Sequence, residues 1–217
     1  MIPHDIHSII KILKKEIKNW KEPIVTEISR TRDPFKVLVS CLLSLRTKDE
    51  TTAGAARRLF SLGDTPEKIL KIDAEKLART IYPVGFYKTK AKTIHALCET
   101  LLRDHGGKVP DEIDDLLKLK GVGRKTANLV VTLGYGKPGI CVDTHVHRIS
   151  NRLGYVKTKT PEETEWRLRE TLPRKYWIDY NDLLVTYGQN ICRPISPFCS
   201  RCPIAVHCQR VGVEKCR

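Results

Sequence analysis

The chain has 217 residues, of which 41 % are apolar, enough to bury a core in one large domain or two small lobes. Lysine and arginine outnumber aspartate and glutamate by 39 to 25, a formal charge of +14, which points to a polyanionic partner, nucleic acid before an acidic membrane surface. A Lys-rich solvated surface is the plainer explanation of the same charge. No stretch approaches the roughly 18–20 apolar residues of a membrane span, and Met-Ile-Pro-His-Asp at the N-terminus is no signal peptide. The lack of both predicts an intracellular, cytoplasmic protein; association with the nucleoid, if prokaryotic, and a monomeric state are separate expectations.

Helical periodicity runs through the chain. Ile6, Ile9, Ile10, Leu13 and Ile17 form one apolar stripe. Asp33-Pro34 starts a second helix as an N-cap followed by proline, with Val37, Leu38, Cys41 and Leu42 on it. Thr65-Pro66 opens a short helix. Ile94, Leu97, Cys98, Leu101 and Leu102 recur at helical spacing, and Thr160-Pro161-Glu162-Glu163 reads as a capping box. No pair of alternating strands flanks a hairpin turn. The reading is an all-α fold of about ten helices with short Gly- or Pro-marked connections. Cys41 and Cys98 fall on apolar faces and read as core residues.

Between Ile113 and Val131 the pattern is more specific. A short helix, capped by Asp111, runs to about Lys118. Gly121-Val122-Gly123 makes a tight turn in which both glycines allow positive φ and close approach of another chain. A second helix starts near Arg124 and presents Ala127, Val130 and Val131 to a core. Its first N–H groups lack internal partners and its dipole is positive there, so the turn suits a phosphate. Gly-x-Gly alone fits an ordinary helix corner equally well. Lys125, in the first turn of that helix, is either a phosphate contact or a nucleophile. As a nucleophile it must be neutral. A free amine has a pKa of about 10.4; the helix N-terminus, Arg124 and partial burial would all lower it. Asp143 precedes Thr-His-Val-His-Arg and reads as the N-cap of the next helix. A carboxylate held that way stays ionised, so capping and catalysis are compatible.

Five of the eight cysteines crowd the C-terminal end. Cys192-x₆-Cys199-x₂-Cys202-x₅-Cys208 offers four thiolates in a loop that also holds Pro194, Pro197 and Pro203. In a reducing compartment such a group is a metal site before it is a pair of disulfides, and either zinc or an iron–sulfur cluster suits it. Cys216 lies outside the pattern near an end expected to fray. Arg193, Arg201 and Arg210 decorate the loop and suit a nucleic-acid backbone.

The string Leu-x-Gly-Val-Gly-x-Lys-Thr-Ala resembles the helix–hairpin–helix of DNA glycosylases. With Val142-Asp143-Thr144-His145-Val146-His147-Arg148, the cysteine spacing, Leu42-Leu43-Ser44 and Val84-Gly85-Phe86-Tyr87, the sequence is similar to the endonuclease III family over nearly its whole length. The resemblance implies two helical lobes: residues 22–135, six helices including the hairpin, and residues 1–21 with 136–217, including a [4Fe–4S] loop at 192–208. It implies a bifunctional glycosylase/lyase of base-excision repair that acts on damaged, oxidised pyrimidines and abasic sites in double-stranded DNA. Lys125 would be the Schiff-base nucleophile, Asp143 the essential carboxylate, and Cys192, Cys199, Cys202 and Cys208 the cluster ligands. Gly121, Gly123, Lys120, Arg46 and Phe86 would contact DNA, Arg46 and Phe86 as fillers of the hole left by an extruded base. Asp49 and His145 are candidates for the base pocket, with helix capping and helix packing as their plainer roles; His147 reads as structural. Two departures stand out: Lys120 where the family usually has proline, and Arg46 where glutamine is common. Phe86 fits core packing as well as a wedge. The competing readings are a mismatch-specific glycosylase on the same scaffold and a non-catalytic DNA-binding protein, which would have no need of Lys125 with Asp143.

Overall fold

The computed structural model describes residues 5–20 and 23–217. The described residues form twelve α-helices joined by short 3₁₀ turns, and no strand. The expected lobe boundary at 21/22 lies outside the described residues. By contacts the chain divides into two compact units: Ile24–Gly139, and the N-terminal segment ending at Pro23 together with Ile140–Arg217. Among the described residues, no helix is long and apolar enough to cross a membrane.

The Ile24–Gly139 unit is built around α3 (Pro34–Ser44), which is buried on every side from Val37 to Leu43. A helix apolar all round belongs in the middle of a unit. Its start is fixed as the sequence predicts: Asp33 accepts from the Phe35 and Lys36 amides at 2.9 and 3.2 Å, with Pro34 at the first helical position. Around it pack α2 (Ile24–Ser29), α4 (Asp49–Leu62), α7 (Tyr87–His105) and α9 (Arg124–Leu129). Two short helices, α5 (Pro66–Leu70, capped by Thr65) and α6 (Ala74–Ile81, capped by Asp73), lie on α7. Ile94, Leu97, Cys98 and Leu101 are buried and Leu102 is half-buried, which places Cys98, like Cys41, in the core.

α8 (Ile113–Leu116) precedes the hairpin and is shorter than the sequence suggests. Its cap residue is Glu112, and neither Glu112 nor Asp111 caps it through a side chain. Asp111 instead forms an ion pair with Lys137 at 2.8 Å, a partner far along the chain that local pattern cannot reveal. α9 runs on without a break into a π-helical turn, Val130–Gly134, and Ala127, Val130 and Val131 are buried as expected.

In the other unit, α1 (Ile6–Glu16) lays Ile6, Ile9, Ile10 and Leu13 into a core shared with α10 (Thr144–Leu153), α11 (Pro161–Thr171) and α12 (Trp177–Asn190). Thr160 caps α11 by accepting from the Glu163 amide at 3.1 Å, and Glu163 accepts from the Lys159 amide at 2.9 Å. Ile204, fully buried, ties the cysteine loop to the same core.

Candidate active site and cysteine loop

The hairpin turn is set by its apolar residues. Leu119 and Val122 point inward, the Leu119 amide donates to Leu116 O and the Val122 amide to Leu119 O, both at 3.1 Å. Lys120, Gly121 and Gly123 are left exposed. The two glycines differ. Gly121 has φ +82°, and a Cβ there would lie 2.7 Å from Thr93 Cγ2. Gly123 has φ −97° and open space where a Cβ would stand, so the fold does not require glycine there. The expectation of positive φ holds for the first only. Gly123 caps α9, and its carbonyl accepts from the Ala127 amide at 2.9 Å.

Lys125 is the second residue of α9 and is exposed. The partial burial anticipated from sequence is therefore not what the structure has. Next to the amine's element lies Cys41, whose thiol burial pushes up to about 12 while the Lys125 charge opposes that rise. Asp143 caps α10, its Oδ1 accepting from the His145 and Val146 amides at 2.8 and 3.0 Å. The side chain is half-buried.

His145 and Asp49 each have scaffold partners. Arg148 Nη2 lies 3.2 Å from His145 Nδ1 and donates to Cys192 O at 2.8 Å. A Cβ on Gly188 of α12 would sit 2.4 Å from His145 Nδ1, so the glycine makes room for the ring. Asp49 accepts from the Ile24 amide at 3.0 and 3.2 Å and so caps α2, not α4, whose cap residue is Lys48. His147 bonds Thr164 Oγ1 at 2.7 Å, a structural role as expected.

Arg46 and Phe86 stand together. Phe86 is 64 % exposed, which excludes core packing for it. Both residues have positive φ, +52° and +58°, and the Arg46 guanidinium lies 5.9 Å from the Phe86 ring centre. Left-handed backbone in non-glycine residues is uncommon and marks a constrained turn.

Cys192, Cys199, Cys202 and Cys208 line one cavity with Arg152, Tyr187 and Phe198. Among the described residues no three metal-ligating side chains are already drawn together as a metal site. The donor set nevertheless fits a soft metal group. Burial raises the Cys199, Cys202 and Cys208 thiols above their ordinary range, a rise that a bound cation would offset. Hydrogen-bond donors surround the sulfurs: Tyr187 Oη at 2.9 Å from Cys202, Arg152 Nη1 at 3.5 Å from Cys192, and the Arg210 amide at 3.4 Å from Cys208. Such contacts are what thiolate-bound clusters use to tune and hold their sulfurs. Arg193, Arg201 and Arg217 place their guanidinium groups 5.1, 4.1 and 4.8 Å from the Phe198 ring centre, a dense cationic patch beside Cys199. The C-terminal end is not frayed: the Ser200 amide donates to Arg217 O at 2.9 Å and the Arg217 amide to Pro197 O at 2.8 Å. After burial, the neighbouring Cys216 thiol is the next cause pushing Cys199 up to about 11.

Lys90 and Arg152 escape a reading of the sequence. Lys90 continues the stripe Ile94, Leu97, Cys98 and Leu101 one turn back, the only local sign of its burial. Arg152 binds the backbone of the cysteine loop through Arg193 O at 2.6 Å and Pro194 O at 2.7 Å, and nothing in its own segment announces that.

Residues 39–174 match the HhH-GPD superfamily of base excision DNA repair proteins. The chain is 46 % identical over 199 residues to endonuclease III of Thermotoga maritima, covering 92 % of this chain and 89 % of that one. Among solved structures it is similar to a non-covalent endonuclease III–DNA complex, at 33 % identity and TM-score 0.85 over 97 % of each chain. It is also similar to a trapped endonuclease III–DNA covalent intermediate, at 36 % identity and TM-score 0.77 over 82 % of this chain and 84 % of that one. With a glycine-turned hairpin ahead of Lys125 and likeness of this extent, the chain belongs to the endonuclease III family within the HhH-GPD superfamily.

Proposed function

We propose that the protein removes oxidised pyrimidines from duplex DNA and then breaks the strand at the abasic site by β-elimination, as a base-excision repair glycosylase and lyase. The observation that carries this reading is Lys125 at the second position of α9, directly behind the Gly121–Gly123 turn, in a chain of the endonuclease III family. A trapped covalent DNA intermediate of a 36 % identical relative supports a covalent route.

The turn receives a DNA phosphate at the start of α9, where the peptide dipoles are positive, with Lys120 adding positive charge. The damaged nucleotide leaves the stack, and Arg46 and Phe86 fill the hole. The neutral amine of Lys125 attacks C1′ of the sugar, the bond from C1′ to the base breaks, and the base departs with its electron pair and a proton. The C1′–O4′ bond then breaks with its electron pair going to O4′, which takes the proton given up by the nitrogen, and an imine joins Lys125 to the opened sugar. Loss of a proton from C2′ expels the 3′ phosphate and cuts the strand. Asp143, its carboxylate oriented by the two α10 amides, stabilises the positive charge on the sugar as the base departs. Asp49 and His145 are each, in this proposal, candidates for contact with the damaged base, beside the scaffold bonds that they make.

Cys192, Cys199, Cys202 and Cys208 would hold a [4Fe–4S] cluster. Its contribution when bound is structural and electrostatic: it cross-links the loop and fixes Arg193, Arg201 and Arg210 for contact with the DNA backbone. In this proposal one lobe carries the hairpin, and its described residues form eight α-helices, α2 to α9, where six were expected; the other lobe carries this loop.

A panel of duplexes, each with one defined lesion, tests the reading. Release of oxidised pyrimidines with strand cleavage is the expected result. Base release without cleavage, or binding without either, would overturn it.

A further inference from the structure

Lys90 lies on the inward face of α7, only 8 % exposed, between the hydrophobic residues that anchor the helix. Buried lysines are rare and need their three donors met. Here Nζ donates to Leu43 O at 2.8 Å, Leu45 O at 2.6 Å and Thr47 Oγ1 at 3.1 Å. The first two acceptors are carbonyls at the end of α3, which a helix leaves unpaired, and meeting them alone would make Lys90 a cap. The third reaches further. Thr47 Oγ1 also accepts from the Gly85 amide at 3.1 Å, which carries the connection to the turn before α7. At Gly85 the two turns come so close that a Cβ would lie 2.8 Å from Arg46 O.

The residues at the tips of the two turns are Arg46 and Phe86. They are exposed, left-handed in backbone, and stacked on each other at 5.9 Å. Unusual backbone of this kind persists where its surroundings over-determine it. Lys90, Thr47 and Gly85 are those surroundings.

We propose that Lys90 is a positioning residue that locks the turn at Arg46 and the turn at Phe86 into one two-pronged wedge, so that both side chains enter the DNA stack together. The proposal rests on the glycosylase reading above. It separates two demands on the enzyme. Extracting a stacked base needs the wedge, whereas cleaving an abasic site in a single strand does not, because no stack is broken there.

The test uses the full-length protein, a duplex with one thymine glycol, and a single-stranded oligonucleotide with one abasic site. Thr47→Val keeps the shape of the side chain and removes the oxygen that links Lys90 to Gly85. Lys90→Met keeps the length and removes the donors. Thr47→Val is expected to melt with the wild type and to lose at least about tenfold in kcat/KM on the duplex, the scale of effect a small misplacement has. Its cleavage of the single strand should stay within about twofold of wild type, since that step depends on Lys125 and the groups around it and not on the wedge. Lys90→Met should lose more on the duplex. Adding Phe86→Ala to Lys90→Met should cost little further if the prongs act as a unit. Wild-type duplex activity in both variants would overturn the proposal. So would an equal loss on both substrates by a Thr47→Val protein that melts normally. A wild-type protein that cleaves neither substrate would overturn the glycosylase reading, and this proposal with it.

Discussion

The hairpin and the cysteine loop are both short, glycine- or proline-marked turns, yet they are held in opposite ways. Behind the hairpin stand Leu116, Leu119, Val122 and Ala127, all buried, and its turn bonds are backbone to backbone. The cysteine loop has little core of its own. Residues 193–195 are exposed, the Cys199–Arg201 and Ala205–His207 turns bury nothing, and Arg152 reaches across to hold Arg193 O and Pro194 O. A surface formed of backbone amides can be encoded by apolar packing alone. A loop of thiols with few apolar anchors depends on what the thiols bind.

The largest effect should come from Lys125→Gln. Strand cleavage should fall by at least about 10³-fold while duplex affinity changes little, because the side chain is exposed and the turn is backed by the buried Leu116, Leu119 and Val122. A similar loss in affinity would show that the residue serves binding. Asp143→Asn should slow turnover by about 10²-fold. Asparagine caps a helix about as well as aspartate, so the melting temperature should hardly move, which separates charge from capping.

Cys202→Ser should abolish iron incorporation, where wild type purified without oxygen is expected to hold about four irons per chain. Cys98→Ser should retain its iron and lose about 1–3 kcal/mol of stability, because the hydroxyl is buried in an apolar core. Stoichiometric zinc in the wild type would refute the cluster, and equal iron loss in both variants would erase the contrast between loop and core.

The smallest effects divide the hairpin's two glycines. Gly121→Ala meets both a positive φ and Thr93, and should cost about 1–2 kcal/mol of stability. Gly123→Ala meets neither and should fold as wild type, yet weaken binding to all duplexes alike, by severalfold, if a phosphate approaches that backbone. Unchanged affinity in Gly123→Ala would remove the phosphate from that part of the turn.

Local signals carried far into the structure where the partner is local. Asp33-Pro34, Thr65-Pro66 and Thr160 cap the helices they precede, and the stripes of α1 and α7 are buried as their spacing predicts except at their last members, Ile17, in the 3₁₀ turn after α1, and Leu102, which are half-buried. Legibility ended where the partner is distant. Asp111 turns to Lys137, Asp49 to Ile24, and Lys90 to carbonyls on α3 and beyond it, so each local capping rule or exposure rule gives way to a tertiary contact. The hairpin motif announces Gly121 and Lys125, but not that only the first glycine is strained or that the lysine is exposed. Exposure of Phe86 likewise depends on a turn whose geometry is set by Gly85 and Thr47.

Borohydride trapping of the wild-type protein on a duplex with one abasic site tests the central claim most directly. An imine between the enzyme and the opened sugar is reduced to a stable amine, so a covalent protein–DNA adduct should form. Digestion and peptide mapping should place the attached sugar on Lys125. An adduct on another lysine, or efficient strand cleavage with no adduct at all, would contradict the account.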